Sequence, residues 1–405
     1  MTAVACVASV YVGACGYGCG MGEIVRYSYR LRPGAIAVRA LESEWHRCRY
    51  LWNEAVRQHK TGRRPTFAKL GKLLTEARGR SAWLREGAQV PQQQALRTYA
   101  KSLEHSFTVK GRGRPTFKAR RKTLPSLEYT SRGFSIRDGR LCLAKGVVIP
   151  VVWSRELPSE PTSVRVHQDT LGHWYASFVV RREAVAAPKV DETSGIGIDW
   201  GVSVTATTTS PGFDLPYLGH RKRCSAELGK AQRKMARRHS GKRGPQSNGY
   251  QRARREAAKL HKKAARQARH DSRIWAKGVV DSHHLIAVED FRPGFLAKST
   301  FAGKAADASI GVSKRELIAR GARAGRKVVL VQPAHTTMTC SSCFARAKQR
   351  LGLGERTFLC QDCGYTDCRD RNAARVILAV AERGHTRVDD VRHAHSFFGS
   401  DVCAV

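Results

Sequence analysis

The chain has 405 residues, 41% of them hydrophobic, so it is long enough for two or three domains that each bury a core. Its 72 Lys and Arg stand against 33 Asp and Glu, which gives a formal net charge of +39. An excess of this size repels itself unless a polyanion is present, so we expect a nucleic acid as the partner. A membrane surface is the weaker alternative, because no apolar run of about 20 residues follows position 22.

The first 22 residues are small, apolar and uncharged. No Lys or Arg precedes Arg26, so the segment lacks the basic start of a signal peptide. We interpret residues 1–22 as a non-native or disordered extension, with Met21 as the candidate initiator.

Residues 23–188 predict a β-barrel with a helical insertion over 36–110. A first strand over Ile24–Arg32 ends at Pro33-Gly34. Helical periodicity then covers 36–60, 67–77 and 91–107, and short strands follow near 126–129, 140–143, 147–153, 163–168 and 173–180. Trp45 and Trp52 are expected in the helical core. We predict that this part recognises nucleic acid and that a linker, Ala184–Ser194, ends it.

The second half predicts a mixed α/β domain over 189–335. Strands are expected over Ile196–Asp199, Val202–Thr209, Leu285–Val288 and Val328–Val331, with a helix near Ser313–Ala324. Residues 221–277 hold 20 Lys or Arg and 3 acids, and form two predicted helices interrupted at SGKRGPQSNG. This surplus exceeds what solubility needs, so the hairpin is expected to contact phosphates. A last helix is predicted over 369–384, and the tail 385–405 has no clear periodicity.

Four of the twelve cysteines form two CxxC pairs, with sixteen residues between the pairs. They are Cys340, Cys343, Cys360 and Cys363. Four thiolates in a tetrahedral array select Zn²⁺, so residues 336–368 predict a closed, structural zinc ribbon in an intracellular protein. An iron–sulfur cluster and a redox dithiol are the weaker alternatives. Cys368 lies outside the paired spacing and is not expected to be a ligand.

Three acids stand out because each follows or opens a predicted apolar element. Asp199 ends the strand GIGID, Glu289 ends the strand LIAVE, and Asp370 opens the last helix. Side chains alternate along a strand, so Gly197 and Asp199 share one face, as do Ala287 and Glu289. A carboxylate at the end of a buried strand is costly unless it is paired or holds a cation.

Each acid also has a simpler interpretation when taken alone. Asp199 could begin the turn to Gly201, Glu289 could be an exposed strand end, and Asp370 could cap its helix. Asp367 is a rival for the third position. Their joint order, strand-Asp, strand-Glu and helix-Asp, is more specific, and predicts a Mg²⁺ or Mn²⁺ site for chemistry on nucleic acid.

The chain from about Arg26 to Arg383 resembles the TnpB (OrfB) family encoded by insertion sequences, which is related to CRISPR type V effectors. The resemblance rests on GIDWG, IAVEDF, the CxxC…CxxCG pairs and RDRNAA, in the order of the family. Three departures are Phe344 after the first CxxC, Cys368 in place of an acid, and the bulky Trp200. The resemblance implies a RuvC-like, RNase-H-like nuclease core with a wedge-like barrel before it and an inserted zinc ribbon.

The resemblance further implies an RNA-guided DNA endonuclease of a bacterial or archaeal cell, located in the cytoplasm at the nucleoid. Asp199, Glu289 and Asp370 would be the catalytic Mg²⁺ or Mn²⁺ ligands of a two-metal mechanism, and a guide RNA and target DNA would be the partners. A non-cleaving RNA-guided repressor and a strand-joining transposase are the alternatives.

Overall fold

The computed structural model describes residues 22–60, 65–109, 111–120, 122–183, 186–241, 246–292, 294, 299–300, 302–349, 351–352 and 354–391. The predicted extension, apart from residue 22, and the end of the predicted tail lie outside these ranges. The chain divides into two compact units, and the boundary between them falls between residues 184 and 185. No helix of the described ranges is long and apolar enough to cross a membrane.

The first unit contains a seven-stranded antiparallel sheet in the order β2-β6-β7-β1-β5-β4-β3. The strands are β1 (Glu23–Leu31), β2 (Ser126–Thr130), β3 (Phe134–Arg137), β4 (Arg140–Leu143), β5 (Val147–Val152), β6 (Ser163–Gln168) and β7 (Trp174–Arg182). The two outer strands, β2 and β3, are consecutive in the chain and are joined by the short 3-10 turn Ser131–Gly133. The sheet therefore curves until its edges nearly meet, which confirms the predicted barrel.

Four helices follow β1 before the chain returns to the sheet. They are α1 (Ala35–Lys60), α2 (Phe67–Arg80), α3 (Ala82–Glu86) and α4 (Gln89–Thr108). Trp45 and Trp52 are 4% and 7% exposed, as expected for core residues. The sequence did not predict α3, because five residues are too few to establish a helical period.

The second unit is built on a four-stranded sheet in the order β11-β10-β8-β9. The strands are β8 (Gly195–Trp200), β9 (Ala206–Thr208), β10 (Leu285–Glu289) and β11 (Lys327–Val331). β10 is parallel to both β8 and β11, whereas β9 is antiparallel to β8. The helices are α5 (His220–Arg223), α6 (Ser225–Arg237), α7 (Asn248–Ser282), α8 (Ala302–Ala308), α9 (Ile310–Arg323) and α10 (Arg369–Glu382).

One predicted strand is wrong over half its length. Val202–Thr209 was expected to be extended, but the strand is limited to Ala206–Thr208. Because β9 runs antiparallel to β8 and Ala206 pairs with Trp200, the residues between them must reverse the chain. The N–H of Gly201 donates to the carbonyl of Thr205 at 3.3 Å within this turn.

The predicted basic hairpin is formed by α6 and α7, which pack against each other. Small side chains line the buried stripe of α7, at Ala253, Ala257, Ala264 and Ala268. Beyond this stripe, α7 continues to Ser282 and buries Trp275 and Val279 against the sheet. The second unit also carries the two-stranded ribbon β12 (Thr357–Leu359) and β13 (Thr366–Cys368), which precedes α10.

Candidate active site

The two faces of β8 contact different helices. Ile196 and Ile198 lie in a core cluster with side chains of α7 and α9. On the opposite face, a Cβ added to Gly197 would lie 2.0 Å from the carbonyl oxygen of Ala374. The backbone of α10 therefore packs directly on β8, on the face that also carries Asp199.

The close contacts give the register between α10 and β8. A Cβ on Gly195 would lie 2.9 Å from a methyl of Leu378, and Ala374 covers Gly197. Residue numbers rise along β8 as they fall along α10, so the strand and the helix run in opposite directions. Two strand residues span about 6.6 Å and four helical residues about 6 Å, so this pairing continues along both elements. One turn before Ala374, Asp370 therefore reaches the level of Asp199.

β10 supplies the third acid from the neighbouring strand. Ala287 pairs with Gly197 in the parallel register, so Glu289 lies at the level of Asp199 and on the same face. Leu285 and Ala287, which share this face, pack in a cluster with α10 side chains. The three acids expected from the sequence thus converge at one end of the sheet.

Burial dominates the electrostatics of this group. Asp199 and Glu289 are 7% and 6% exposed. Burial raises the pKa of Asp199 well above its usual range, and the charges of Glu289 and Asp370 raise it further. Burial also raises the pKa of Glu289, to about 7, although the Lys314 charge opposes this shift. The raised pKa values favour the protonated forms of the two buried carboxyls, and a bound cation would favour the ionised forms instead.

Asp370 is the most accessible of the three, and two arginines contact it. Its carboxylate lies 3.2 Å from the Arg356 guanidinium and 3.4 Å from that of Arg369. Carboxylate oxygens are ligands that suit Mg²⁺ and Mn²⁺, and such an ion would compensate the burial of Asp199 and Glu289, so the donor chemistry of these residues fits a divalent cation. The rival Asp367 instead pairs with Arg375 at 2.9 Å and accepts a hydrogen bond from Tyr365.

Two further residues support the acids and were not predicted as part of the site. The Trp200 indole donates to the carbonyl of Glu289 at 3.2 Å, so it ties the ends of β8 and β10 together. Lys314 is 9% exposed and donates to Asp290, the residue after Glu289, at 2.6 Å. The bulk of Trp200 was the available sequence signal; Lys314 gave none, because a lone lysine on an amphipathic helix is usually solvated.

The four predicted zinc ligands also lie together. The sulfurs of Cys340 and Cys363 are 3.8 Å apart, those of Cys343 and Cys360 are 3.6 Å apart, and all four lie within 4.8 Å of one another. Sulfurs placed tetrahedrally at 2.3 Å from Zn²⁺ would be about 3.8 Å apart, so the cluster fits a zinc ribbon. Cys368 is exposed at the end of β13 and does not belong to the cluster.

The two CxxC turns end in the same backbone conformation. Gly364 follows the second pair with φ of +73°, and Phe344 follows the first with φ of +58°. A side chain at positive φ is strained, but the Phe344 ring is buried beside Val376 and Val380 and lies 4.2 Å from the Arg383 guanidinium. Packing on α10 thus accounts for the departure from glycine at this position.

A cavity of about 720 Å³ opens beside the turn that follows β8. Arg221, Lys222 and Lys304 bring three cationic side chains to its lining, together with Tyr217. The buried Asp307 closes one wall, where it accepts hydrogen bonds from Tyr217 and from the backbone N–H groups of Arg221 and Lys222. With Asp307 engaged in these hydrogen bonds, the charged side chains left on the lining are the three cations, and they lie beside neutral residues such as Val202 and Leu228.

Two family models match parts of the chain. Residues 165–300 match the family model OrfB_IS605, described as "Probable transposase". Residues 314–377 match the model of the Cas12f1-like TNB domain. These matches confirm the resemblance to the TnpB (OrfB) family that the sequence motifs indicated.

Two curated relatives are similar along most of their length. A protein of Streptomyces pristinaespiralis named "Putative RNA-guided DNA endonuclease" is 29% identical over 378 residues, 90% of this chain and 91% of the relative. The "Putative RNA-guided DNA endonuclease InsQ" of Escherichia coli (strain K12) is 26% identical over 385 residues, covering 89% and 93%.

Two solved structures that match most of the chain do so at low sequence identity. A Cas12f1–sgRNA–target DNA complex is 14% identical, with a TM-score of 0.49 over 84% of this chain and 80% of that chain. CasPhi-2 (Cas12j) bound to crRNA is 10% identical, with a TM-score of 0.41 over 89% and 98%.

Proposed function

We propose that the protein is an RNA-guided DNA endonuclease with a RuvC-like active site. The observation that carries the proposal is the convergence of Asp199, Glu289 and Asp370 at one end of the sheet, in a chain whose relatives are named as such endonucleases. A guide RNA and a target DNA are the proposed partners. A strongly basic protein that leaves sequence recognition to base pairing can bind both through their backbones.

Asp199, Glu289 and Asp370 are proposed to hold two Mg²⁺ or Mn²⁺ ions, with Asp199 as the central ligand. Two such ions would supply an activated water and stabilise charge on the leaving 3′ oxygen. Because the pKa values of Asp199 and Glu289 are raised, these carboxyls would lose protons when a cation binds. Asp370 must exchange the guanidinium of Arg356 for the cation. Trp200 and Lys314 keep the ends of β8 and β10 in place while these changes occur.

The basic surfaces of the second unit are proposed to hold the nucleic acid. The outer faces of α6 and α7 carry most of the cations of residues 221–277. The cavity beside the β8 turn carries Arg221, Lys222 and Lys304 on its lining and is proposed to contribute phosphate contacts.

The first experiment compares matched acid variants of the guide-loaded protein. Asp199→Ala and Asp370→Asn should abolish cleavage of target DNA in Mg²⁺ while leaving its binding within about twofold. Asp367→Asn is the control, because Asp367 pairs with Arg375 outside the acid group. Full cleavage by Asp199→Ala, or loss of cleavage by the Asp367 variant alone, would overturn this assignment of the acids.

The same assay separates the alternative functions. The description "Probable transposase" of the matched family keeps strand joining as the second candidate. Joined DNA products that require Asp199 would favour a transposase. A wild-type protein that binds guide and target but cuts nothing in Mg²⁺ or Mn²⁺ would favour a repressor.

A further inference from the structure

The first turn of α10 is held by side chains that reach in opposite directions. The residue before the helix, Cys368, makes no side-chain cap. Arg371 donates to the carbonyl of Thr208 on β9 at 2.6 Å and pairs with Asp214 at 2.9 Å. Asn372, the next residue, points to the zinc ribbon. Asp370 thus lies immediately before a tether to the sheet and a tether to the ribbon.

The Asn372 tether spans the first CxxC turn. Asn372 is fully buried, and its amide nitrogen donates to the carbonyl of Thr339 at 2.8 Å. Its amide oxygen accepts from the N–H of Ser341 at 2.9 Å. These two backbone groups flank Cys340 on either side. A buried amide with both ends satisfied costs free energy to release, because the freed groups would remain unpaired.

Asn372 contacts the backbone on either side of Cys340, and a zinc ion bound to Cys340 would hold the same turn. The Cys340 sulfur accepts from the N–H of Ser342 at 3.4 Å, and the Cys340 carbonyl accepts from the N–H of Phe344 at 3.0 Å. Fixing the thiolate of Cys340 on a metal therefore fixes the turn on both sides of it. Residues that orient metal sites in this way influence affinity without touching the ion.

A second contact joins the ribbon to the same helix turn. Arg356 lies directly before β12, and its carbonyl accepts a hydrogen bond from the N–H of Arg369 at 2.7 Å. The guanidinium of Arg356 pairs with the carboxylate of Asp370. The ribbon therefore contacts both the Asp370 carboxylate and the first residue of α10. A ribbon that served solely to bind nucleic acid would not need either contact.

We propose that Asn372 is a positioning residue that couples the zinc site to the acid site. A zinc-loaded first CxxC turn holds the first turn of α10, and with it the Asp370 carboxylate, in register with Asp199 and Glu289. Zinc occupancy thereby sets the affinity of the three acids for divalent cations. This inference rests on the proposed assignment of those acids as metal ligands.

Binding of Mn²⁺ to the purified full chain tests the coupling, with free Mn²⁺ measured by electron paramagnetic resonance and zinc measured by elemental analysis. Asn372→Ala should retain zinc but raise the Kd for Mn²⁺ by about 10-fold, the lower end of what outer-shell changes cost in metal sites. Arg375→Ala is the matched control. It lies on the same helix and contacts Asp367 of β13, away from the CxxC turn, so its Kd should stay within about twofold of wild type.

Reciprocal linkage provides a second measurement that needs no variant. If the sites are coupled, saturating Mg²⁺ must strengthen retention of zinc against a chelator by the same factor by which zinc strengthens Mg²⁺ binding. At equilibrium, the wild-type chain should therefore lose zinc at a free chelator concentration about 10-fold higher in Mg²⁺ than without it. If Asn372→Ala does not fold, this measurement on the wild-type chain tests the coupling by itself.

The outcomes separate this inference from the proposed function. If Asp199→Ala does not weaken Mn²⁺ binding, the acids are not the metal site, and the proposed function fails. If Asp199→Ala weakens binding but zinc-retaining Asn372→Ala binds as wild type, the coupling is overturned while the nuclease assignment stands. A chelator profile that is unchanged by Mg²⁺ would likewise overturn the coupling.

Discussion

At the scale of single residues, Glu289 should make the proposed cation binding depend on pH near neutrality. Burial raises its pKa from 4.5 to about 7, so a proton competes with a cation for the carboxylate. The affinity for Mn²⁺ should therefore rise as the pH increases through about 7, as titration calorimetry from pH 5.5 to 8 would reveal. Glu289→Gln should bind more weakly and flatten this dependence; an unchanged slope would contradict the assignment.

The raised pKa of Glu289 also makes the free energy of unfolding depend on pH, but in the direction opposite to that of cation binding. A carboxyl whose pKa is raised in the folded state favours folding when it is protonated. In the cation-free protein, this contribution is present below pH 4.5 and is lost as the pH rises to about 7. Divalent cations should restore stability above that pH, because they bind the ionised form.

Lys314 should control where this titration occurs. Its charge lowers the pKa of Glu289, against the larger effect of burial, and its ammonium pairs with Asp290. Lys314→Met should therefore move the midpoint of the pH profile for Mn²⁺ binding to higher pH while preserving binding on the alkaline side. Arg315→Ala, on the exposed side of the same helix, is the control and should leave the midpoint unchanged.

At the scale of elements, the contact between α10 and β8 tolerates no side chain at Gly197. A Cβ there would lie 2.0 Å from the Ala374 carbonyl, so α10 would have to move away from the sheet. Gly197→Ala should destabilise the protein by about 3 kcal/mol or more and weaken Mn²⁺ binding through displacement of Asp370. Urea unfolding and the metal titration measure the two effects.

Gly278 offers the matched control for that substitution. It lies within α7, and a Cβ there would meet nothing within 4 Å. Gly278→Ala should be neutral or stabilise the protein by up to about 1 kcal/mol, because alanine is the better helix former. Equal loss of stability in both variants would show that the spacing of α10 and β8 is not the cause.

The sequence predicted the elements whose pattern is local and missed what depends on distant partners. The alternation in GIGID placed Gly197 and Asp199 on one face, and that face carries α10. The short helix α3 was missed because five residues are too few to establish a helical period. The roles of Lys314 and Asn372 could not be foreseen, since each depends on contacts with residues at least 20 positions away.

At the scale of the whole molecule, the surplus of positive charge makes nucleic-acid binding sensitive to salt. Log affinity should fall linearly with log salt, since each neutralised phosphate releases counterions. Changing the exposed Arg255, Lys259 and Arg266 of α7 to Gln should reduce the slope by about 2 to 3 if all three contact phosphates. Filter binding of guide RNA across a salt series measures it.

A charge-matched triple variant in the first unit separates contact from general attraction. Lys69, Lys72 and Arg80 of α2 are also exposed, so changing them to Gln alters the net charge equally. The slope should change less in this variant than in the α7 variant. Identical slopes would mean that α7 contributes bulk charge and makes no specific phosphate contacts.

The packing of α10 across β8 and β10 also has a consequence for synthesis on the ribosome. Asp199 and Glu289 emerge well before Arg369–Glu382, and the two earlier acids can meet as soon as their strands pair. Domains generally fold as they leave the ribosome, from the N-terminal side onward. A nascent or prematurely terminated chain therefore carries an incomplete set of acids, and the proposed capacity to cut DNA would arise after nearly all of the basic surface has been made.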